Sequence, residues 1–373
     1  MSGLDRRRFL KLTGGIGVGT LTGLAGCSSS GEPQGTTTQT TTGDIQLEPT
    51  GDSIAVGMVY ALGGLGDNSF NDMANRGVKQ AETELGISYQ NAEPSNPGDF
   101  STFQRKFATS TSPDYDLIST IGFAQTSALS KTAPNFPKQR FMLVDSVLSE
   151  PNVASYVFRE QEGSFQVGML AGLLTSQSFS AGAGETNPDQ KVVGFVGGKE
   201  TPLIKKFEAG YKAGVKHVDS AVTVRTAYAG SWSDPGKGQS VATSMYGEGA
   251  DIVYHAAGGT GVGVFRAAQN VGRYGIGVDA PQSESLPKFA DVILASMVKR
   301  VDTAVFRSIK NVVEGSFRGG DIIALGLEEE GVSINYGAEL GDDIPQSIKD
   351  RIATATEQII AGDITVPEKP ENV

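Results

Sequence analysis

The amino-acid sequence predicts an α/β protein with two lobes, each a doubly wound parallel sheet covered by helices. From residue 54 onward, short apolar runs alternate with segments of helical period, and glycines occur at their junctions. The pattern restarts after a loop rich in glycine and proline at residues 180–190. A length of 373 residues also suits two domains once a leader segment has been removed.

Strands are expected where apolar runs are short and bounded by turn residues. Runs such as 118–121 are almost continuously apolar, which favours burial on both faces of a sheet. The predicted strands are 54–59, 116–121, 140–145, 192–196, 252–257 and 276–278. Apolar residues at helical spacing predict helices at 70–85, 163–174, 202–217, 235–247 and 261–271.

No long linker separates the two lobes, so the chain is expected to pass between them through short crossovers, the first near residues 156–161. We expect residues 54–158 plus 281–318 to form the N-terminal lobe and residues 159–280 plus 319–367 to form the C-terminal lobe. In sheets of this kind, ligands bind beyond the carboxyl ends of the strands. Polar and aromatic residues at strand ends are therefore the candidate site.

Residues 1–26 predict an export signal rather than part of the fold. Three arginines at 6–8 precede an apolar, glycine-rich stretch at 12–24, and small residues lead directly to Cys27. The pattern resembles a twin-arginine signal ending in a lipobox, in which a peptidase cuts before the cysteine and a lipid is attached to Cys27. An uncleaved anchor is the alternative, although the apolar stretch is shorter than the roughly 20 residues that span a bilayer.

Residues 27–53 predict a flexible tether, because they are rich in serine and threonine and poor in apolar side chains. The protein is thus expected at the extracytoplasmic face of the cell membrane, held by the lipid on Cys27. The net charge of −11 argues against binding to nucleic acid. Removal of residues 1–26 takes away four basic and one acidic side chain, which leaves a net charge of −14. Such acidity suits a haloarchaeal source.

Composition and motifs exclude several classes of protein. One cysteine and two histidines provide no disulfide, no Cys/His zinc set and no Cys-x-x-Cys pair. A G-x-S-x-G elbow is absent from the sequence, and the glycine-rich segments 230–238 and 258–263 lack the spacings of a phosphate loop and a dinucleotide loop. His217 and His255 belong to no Ser/His/Asp arrangement. We therefore expect no enzyme activity, no cofactor and no metal.

Polar side chains at strand ends remain as candidates. Asp67, Ser69 and Asn71 follow the first strand, where glycines allow a tight turn and an acidic or hydroxyl side chain can cap the next helix. Asp145 and Asp279 each end a further strand, and the Asp279 carboxylate in that position could accept two hydrogen bonds from a vicinal diol. An ordinary helix N-cap is the alternative for the first group.

Together these segments resemble the basic membrane protein (BMP) family of extracytoplasmic lipoproteins, the purine-nucleoside receptor A-like substrate-binding proteins of ABC transporters. Residues 66–71 read G-D-N-S-F-N against the family's D-D-K-S-F-N. The resemblance covers nearly all of residues 54–366, and it also rests on segments 141–145, 158–168, 196–198, 207–214, 257–261, 276–279 and 296–302. Gly66 and Pro281 depart from the pattern, since the family usually has acidic residues there.

The resemblance implies a type I periplasmic-binding-protein fold, in which three crossovers join two lobes that close on a nucleoside. It implies that Asp279 binds the ribose, that Phe70 stacks on the base and that Lys299 is a polar pocket residue. Trp232 stands where the family often has phenylalanine and is a second stacking candidate, unless it is a core residue of its own lobe. The full set of implied ligand-binding positions is Asp67, Ser69, Phe70, Asn71, Asp145, Trp232, Gly258, Asp279 and Lys299.

The function expected from this resemblance is a lipid-anchored, monomeric receptor that binds a nucleoside, in the first place a purine nucleoside, and delivers it to an ABC permease. A receptor for a sugar or another small polar solute, and a sensory lipoprotein that does not transport, remain alternatives. An exported nucleoside hydrolase would need a metal-binding aspartate cluster, for which Asp67, Asp145 and Asp279 are the obvious candidates.

Overall fold

Strands and helices alternate along residues 53–373, which are the residues that the computed structural model describes. The predicted signal, Cys27 and almost all of the predicted tether lie outside the described residues. The strands are β1 Ala55–Val59, β2 Ser88–Ala92, β3 Leu117–Thr120, β4 Arg140–Val144, β5 Val153–Phe158, β6 Ser180–Ala181, β7 Gly184–Glu185, β8 Val192–Gly197, β9 Thr223–Tyr228, β10 Ala250–Ala256, β11 Tyr274–Asp279, β12 Ile293–Lys299, β13 Ile322–Leu325 and β14 Val332–Tyr336. The α-helices are α1 Phe70–Leu85, α2 Asp99–Ala108, α3 Thr126–Thr132, α4 Glu160–Thr175, α5 Pro202–Val218, α6 Pro235–Gly247, α7 Val262–Val271, α8 Gln282–Ser285, α9 Val301–Val313 and α10 Gln346–Ala361.

Two six-stranded sheets of matching topology organise these elements. Their strand orders are β13-β5-β4-β3-β1-β2 and β14-β12-β11-β10-β8-β9. Every pair in the first sheet is parallel, whereas the second sheet carries antiparallel β14 at one edge. The prediction of two parallel-sheet α/β lobes is therefore confirmed. Within the described residues, no helix combines the length and the apolar character that a membrane crossing requires.

Three short crossovers join the sheets, as the resemblance implied. The chain leaves the first sheet at Arg159, returns to it at Arg300 and crosses for the third time at residues 326–331. Backbone hydrogen bonds tie the crossovers together, because Arg159 N donates to Leu325 O (3.0 Å) and Arg300 N donates to Gly331 O (2.9 Å). The crossovers therefore lie side by side and form one hinge.

The predicted lobe boundaries at residues 281 and 319 are wrong. Strand β12 pairs with β11 in the second sheet, with Met297 opposite Val278. Strand β13 pairs with β5 in the first sheet, with Leu325 opposite Phe158. These pairings assign residues 281–299 to the second lobe and residues 319–325 to the first. The second crossover consequently lies at residue 300, and not at residue 280.

Helices α4 and α5 cover one face of the second sheet and pack with their backbones in close contact. Three glycines make this packing possible. A Cβ atom added at Gly168 would lie 2.2 Å from Tyr211 O, and one added at Gly210 would lie 2.1 Å from Gln161 O. A Cβ atom at Gly214 would likewise lie 2.1 Å from a carbonyl oxygen of α4. No side chain fits at these positions unless the two helices separate.

We expect Gly210→Ala to destabilise the protein by about 1–3 kcal/mol, because the added methyl group overpacks the contact between α4 and α5. Alanine by itself favours helix over glycine, so the matched control Gly247→Ala should be neutral or stabilising. Gly247 is exposed at the end of α6, and a Cβ atom there would meet no atom within 4 Å. Chemical denaturation measures both changes. Equal effects of the two substitutions would contradict this account of the packing.

Candidate functional site

A cleft opens between the two lobes at the carboxyl ends of the parallel strands. It contains about 710 Å³ of empty space, its open mouth included, which is within the usual range for small-molecule sites. Eight of the nine predicted binding positions line this cleft, namely Asp67, Phe70, Asn71, Asp145, Trp232, Gly258, Asp279 and Lys299. The ninth, Ser69, is fully buried beside the cleft. The structure therefore brings the predicted positions together.

Asp67 and Asn71 shape the loop that enters α1. The Asp67 carboxylate accepts hydrogen bonds from the backbone N–H groups of Ser69 (2.9 Å) and Asn71 (3.0 Å), and so it caps the helix. Asn71 Oδ1 accepts a hydrogen bond from Ala61 N (2.9 Å). Burial raises the pKa of Asp67 to about 6, although the backbone hydrogen bonds oppose this rise. Ser69 is the N-cap residue of α1 but makes no side-chain cap hydrogen bond, and the Asp67 carboxylate accepts the hydrogen bonds of the first turn instead. Asp67 also lines the cleft.

Asp145 and Asp279 occupy equivalent places in the two lobes. Asp145 follows β4 and Asp279 ends β11, and each of these strands is third in the order of its sheet. Both residues have left-handed backbones, with φ angles of 66° and 63°. This conformation is uncommon outside glycine and costs on the order of 1–3 kcal/mol. Such strain at two matching strand ends is typical of binding sites, and both carboxylates face the cleft.

Lys299 is a buried cation at the end of β12. Its Nζ lies 2.6 Å from Asp145 Oδ1 and 3.0 Å from Glu160 Oε1. Burial acts to lower the pKa of Lys299, but the charges of Asp145, Glu160 and Asp279 outweigh it, and the net pKa is raised. Lys299 therefore stays protonated. Because Asp145 belongs to the first lobe, this ion pair joins the lobes inside the cleft.

Aromatic rings surround the Lys299 ammonium group. The ring centroids of Phe158, Phe70 and Phe207 lie 4.9 Å, 5.1 Å and 5.7 Å from Nζ, close enough for cation–π attraction. These rings exclude water around the charge, which strengthens its interactions with the neighbouring carboxylates.

Glu160 is an ion-pair partner of Lys299 that the sequence analysis did not predict. It is the first residue of α4, directly after the first crossover, and its side chain is 1% exposed. Its position within segment 158–168 was one available signal, since an acidic residue directly after a strand is placed near the cleft. Glu160 itself does not line the cleft. The cleft-lining positions that were not predicted are apolar or small, and they are Ala61, Leu62, Gly122, Phe123, Ala124, Leu203, Ile204, Phe207, Ala256, Ala257 and Val278.

Asp279 interacts with the first lobe through Ser69. The Ser69 hydroxyl donates a hydrogen bond to Asp279 Oδ2 over 2.5 Å. Burial raises the pKa of Asp279 to about 7, while the Lys299 charge and the Ser69 hydrogen bond lower it. Burial also raises the pKa of Asp145 to about 6. Burial thus destabilises the charged forms of Asp145 and Asp279. Hydrogen bonds from a donor therefore stabilise these carboxylates more than they would stabilise a carboxylate in water.

Phe70 and Trp232, the two predicted stacking residues, line the cleft from opposite lobes. Phe70 begins α1 in the first lobe and lies beside Gly122, where an added Cβ would be 3.4 Å from the ring. Trp232 lies in the loop between β9 and α6 of the second lobe. Its ring covers Gly198, where an added Cβ would be 2.4 Å from the ring. Trp232 thus both packs on its own lobe and lines the cleft.

The arrangement suits a ligand with hydroxyl groups at one part and a flat ring at another. Carboxylates accept hydrogen bonds from hydroxyl and N–H groups, and aromatic side chains cover a ring. Across residues 53–373, no group of three or more His, Cys, Asp or Glu side chains is arranged to hold a metal ion. The site residues therefore support binding through hydrogen bonds and stacking.

We expect Asp279→Asn to stabilise the ligand-free protein at pH 8 by on the order of 1–3 kcal/mol, and by much less at pH 4.5. With a folded-state pKa raised to about 7, the folded protein binds a proton that the unfolded chain releases near pH 4. The contribution of Asp279 to stability is therefore lost as the pH rises from about 4 to about 7. Asparagine removes the buried charge and keeps an acceptor for Ser69.

Denaturation at a series of pH values tests this expectation. The matched control is Asp363→Asn, because Asp363 is an exposed aspartate outside the cleft. A stability difference for Asp279→Asn that is the same at pH 4.5 and pH 8 would contradict the buried-carboxylate account.

Comparisons with known proteins agree with this fold. A profile of the family described as "ABC transporter substrate-binding protein PnrA-like" matches residues 54–370. The ABC transporter nucleoside-binding protein BmpA of Lactococcus lactis is 33% identical over 95% of this chain and 97% of that protein. An uncharacterised lipoprotein of Pyrococcus horikoshii is 35% identical over 83% of this chain and 73% of that protein.

A solved structure gives the same result. The ABC transporter solute-binding protein of Aeropyrum pernix is 31% identical, has a TM-score of 0.74 and matches 85% of this chain and 95% of that chain. Proteins of this kind bind a small molecule and work with a permease, and they are not enzymes. The chain therefore belongs to the Bmp family of PnrA-like substrate-binding proteins of ABC transporters.

Proposed function

We propose that this protein is a lipid-anchored extracytoplasmic receptor that binds a nucleoside between its lobes and delivers it to an ABC permease. One observation carries the proposal. The same cleft places the carboxylates of Asp145 and Asp279 together with the aromatic rings of Phe70 and Trp232. A nucleoside combines the two matching features, a sugar with vicinal hydroxyl groups and a flat base. The receptor acts as a monomer in this proposal.

The ribose is bound at the Asp279 end of the cleft. A carboxylate can accept hydrogen bonds from both hydroxyl groups of a vicinal diol. The hydrogen bond from Ser69 to Asp279 already has this hydroxyl-to-carboxylate chemistry. Lys299 forms ion pairs with Asp145 and Glu160, and it also lines the cleft. Its ammonium group can donate hydrogen bonds to a ligand oxygen there.

The base lies against Phe70 and Trp232, which belong to opposite lobes and therefore approach each other when the lobes close. Stacking on an aromatic ring contributes on the order of 1–3 kcal/mol per base. Asp145 offers a carboxylate to the N–H groups of the base. The Lactococcus relative is named a nucleoside-binding protein, which supports this assignment. A purine has the larger face and is the preferred base.

A receptor for a sugar or another small polar solute is the second candidate, since the two carboxylates alone suit hydroxyl groups. The paired aromatic residues and the largely apolar remainder of the cleft wall favour a nucleoside over such a solute. Competition between guanosine and ribose for the wild-type protein separates the two candidates.

The membrane anchor in this proposal is a lipid on Cys27, which follows a twin-arginine signal. The Pyrococcus relative is named a lipoprotein, which supports anchoring of this chain. The acidic composition is consistent with export into a salt-rich medium, as in a haloarchaeon.

We expect Asp279→Ala to weaken nucleoside binding by about 10- to 100-fold, because charge-assisted hydrogen bonds to the ribose are lost. Binding of the corresponding free base should change little. Isothermal titration calorimetry with guanosine and guanine measures both affinities. Asp251→Ala is the matched control, because Asp251 is a buried carboxylate of the same lobe that does not line the cleft. Unchanged guanosine affinity in a folded Asp279→Ala protein would remove this residue from the site.

We expect Cys27→Ser to move the protein from the membrane fraction to the soluble fraction, because serine cannot carry the thioether-linked lipid. Fractionation of cells that express the full chain, followed by immunoblotting, measures the distribution. A variant that stays in the membrane with its signal uncut would show that residues 1–26 act as a conventional anchor.

A further inference from the structure

We propose that Gln282 is a positioning residue whose side-chain amide latches the two lobes in the closed form that the ligand requires. The proposal deepens the nucleoside-receptor function and rests on it for its effect on affinity. Gln282 does not line the cleft, so it would strengthen ligand binding without touching the ligand.

Gln282 connects the lobes through one partly buried hydrogen bond. It is the first residue of α8 in the second lobe, and none of its surface is exposed. Its Nε2 donates to the backbone carbonyl oxygen of Asn68, in the first lobe, over 2.9 Å. Asn68 lies in the loop that carries Asp67 and Ser69 into the site, and its backbone is left-handed with a φ of 50°.

The second lobe holds the amide in the orientation that this contact needs. Gln282 Oε1 accepts hydrogen bonds from Val278 N and from His255 Nε2, both over 2.9 Å. Because a backbone N–H can only donate, Oε1 has to face Val278, and Nε2 has to face Asn68. Burial lowers the pKa of His255 to about 4, so the ring is neutral and donates from Nε2. The amide is therefore fixed before the lobes meet.

A second hydrogen bond joins the same two segments but has a different relation to the ligand. Ser69 is adjacent to Asn68, and it donates to Asp279, three residues before Gln282. Asp279 lines the cleft, so ligand hydroxyl groups compete with Ser69 for its carboxylate. Neither Asn68 nor Gln282 lines the cleft. The hydrogen bond from Gln282 Nε2 to Asn68 O can therefore persist when the ligand is bound.

Opening of the lobes would separate Gln282 Nε2 from Asn68 O and leave a buried donor in need of water. The amide thus favours the closed form whether or not a ligand is present. A ligand that binds only the closed form has an apparent affinity reduced in proportion to the population of that form. Loss of the latch should raise the dissociation constant about three- to tenfold, the effect of one neutral hydrogen bond.

The experiment compares the full-length wild type with Gln282→Met and Gln104→Met. Gln104 is the matched control, because it is a fully buried glutamine whose side-chain hydrogen bond stays within the first lobe. Small-angle X-ray scattering of the ligand-free proteins reports lobe opening, and guanosine titration reports affinity. Gln282→Met should have a larger radius of gyration than wild type and a guanosine dissociation constant three- to tenfold higher. Gln104→Met should match wild type in both.

A second variant guards against misfolding of the first. Gln282→Glu keeps an acceptor for Val278 N and His255 Nε2 but turns an oxygen toward Asn68 O, so it should also open the lobes. A wild-type radius of gyration in a folded Gln282→Met or Gln282→Glu protein would overturn the latch. The scattering comparison contains no nucleoside. Failure of the wild type to bind guanosine would therefore overturn the proposed function, while the scattering result still decides the latch.

Discussion

The buried ammonium group of Lys299 is the interaction on which the architecture of the cleft depends. It lies between Asp145, at the end of a strand in the first lobe, and Glu160, at the first crossover. Removal of one partner from a buried ion pair typically costs about 3–5 kcal/mol, because the other charge is left without compensation. One cation therefore fixes the carboxyl ends of two sheets and the hinge relative to one another, and it does so inside the cleft.

The matching topology of the two sheets explains why two of the acidic residues in the cleft, Asp145 and Asp279, occupy equivalent places. Asp145 and Asp279 lie at the ends of equivalent strands, and both have a left-handed backbone. Each lobe therefore presents to the other one carboxylate that is carried by a strained backbone. Burial raises the pKa of both residues, which is a cost to the ligand-free fold. A ligand that donates hydrogen bonds to these groups offsets the cost. The same features that reduce stability therefore favour binding, a balance that is common at functional sites.

Local patterns in the sequence predicted part of the fold and the polar strand-end residues of the cleft, whereas the resemblance to the family supplied Phe70, Trp232 and the role of Lys299. Helices α1 and α6 begin and end at the predicted residues, because apolar spacing and the Asp67 and Asp234 caps are local signals. Strand β2 was not predicted, since at the edge of its sheet it carries mostly exposed polar side chains. The predicted lobe boundaries were wrong at β12 and β13, because these boundaries depend on which strands pair, and β13 pairs with a strand that is distant in sequence. Glu160 was missed for the same reason, since its partner Lys299 is distant in sequence.

Fluorescence of Trp232 tests nucleoside binding in the cleft most directly. Trp232 is the one tryptophan in the sequence and lines the cleft, so all tryptophan emission comes from the cleft wall. The account predicts that guanosine changes the emission of the full-length protein in a saturable manner. Ribose at the same concentrations should change it little, and Trp232→Phe should retain calorimetric binding because a smaller ring still stacks. A saturable response to a sugar, together with no response to any nucleoside, would contradict the central claim.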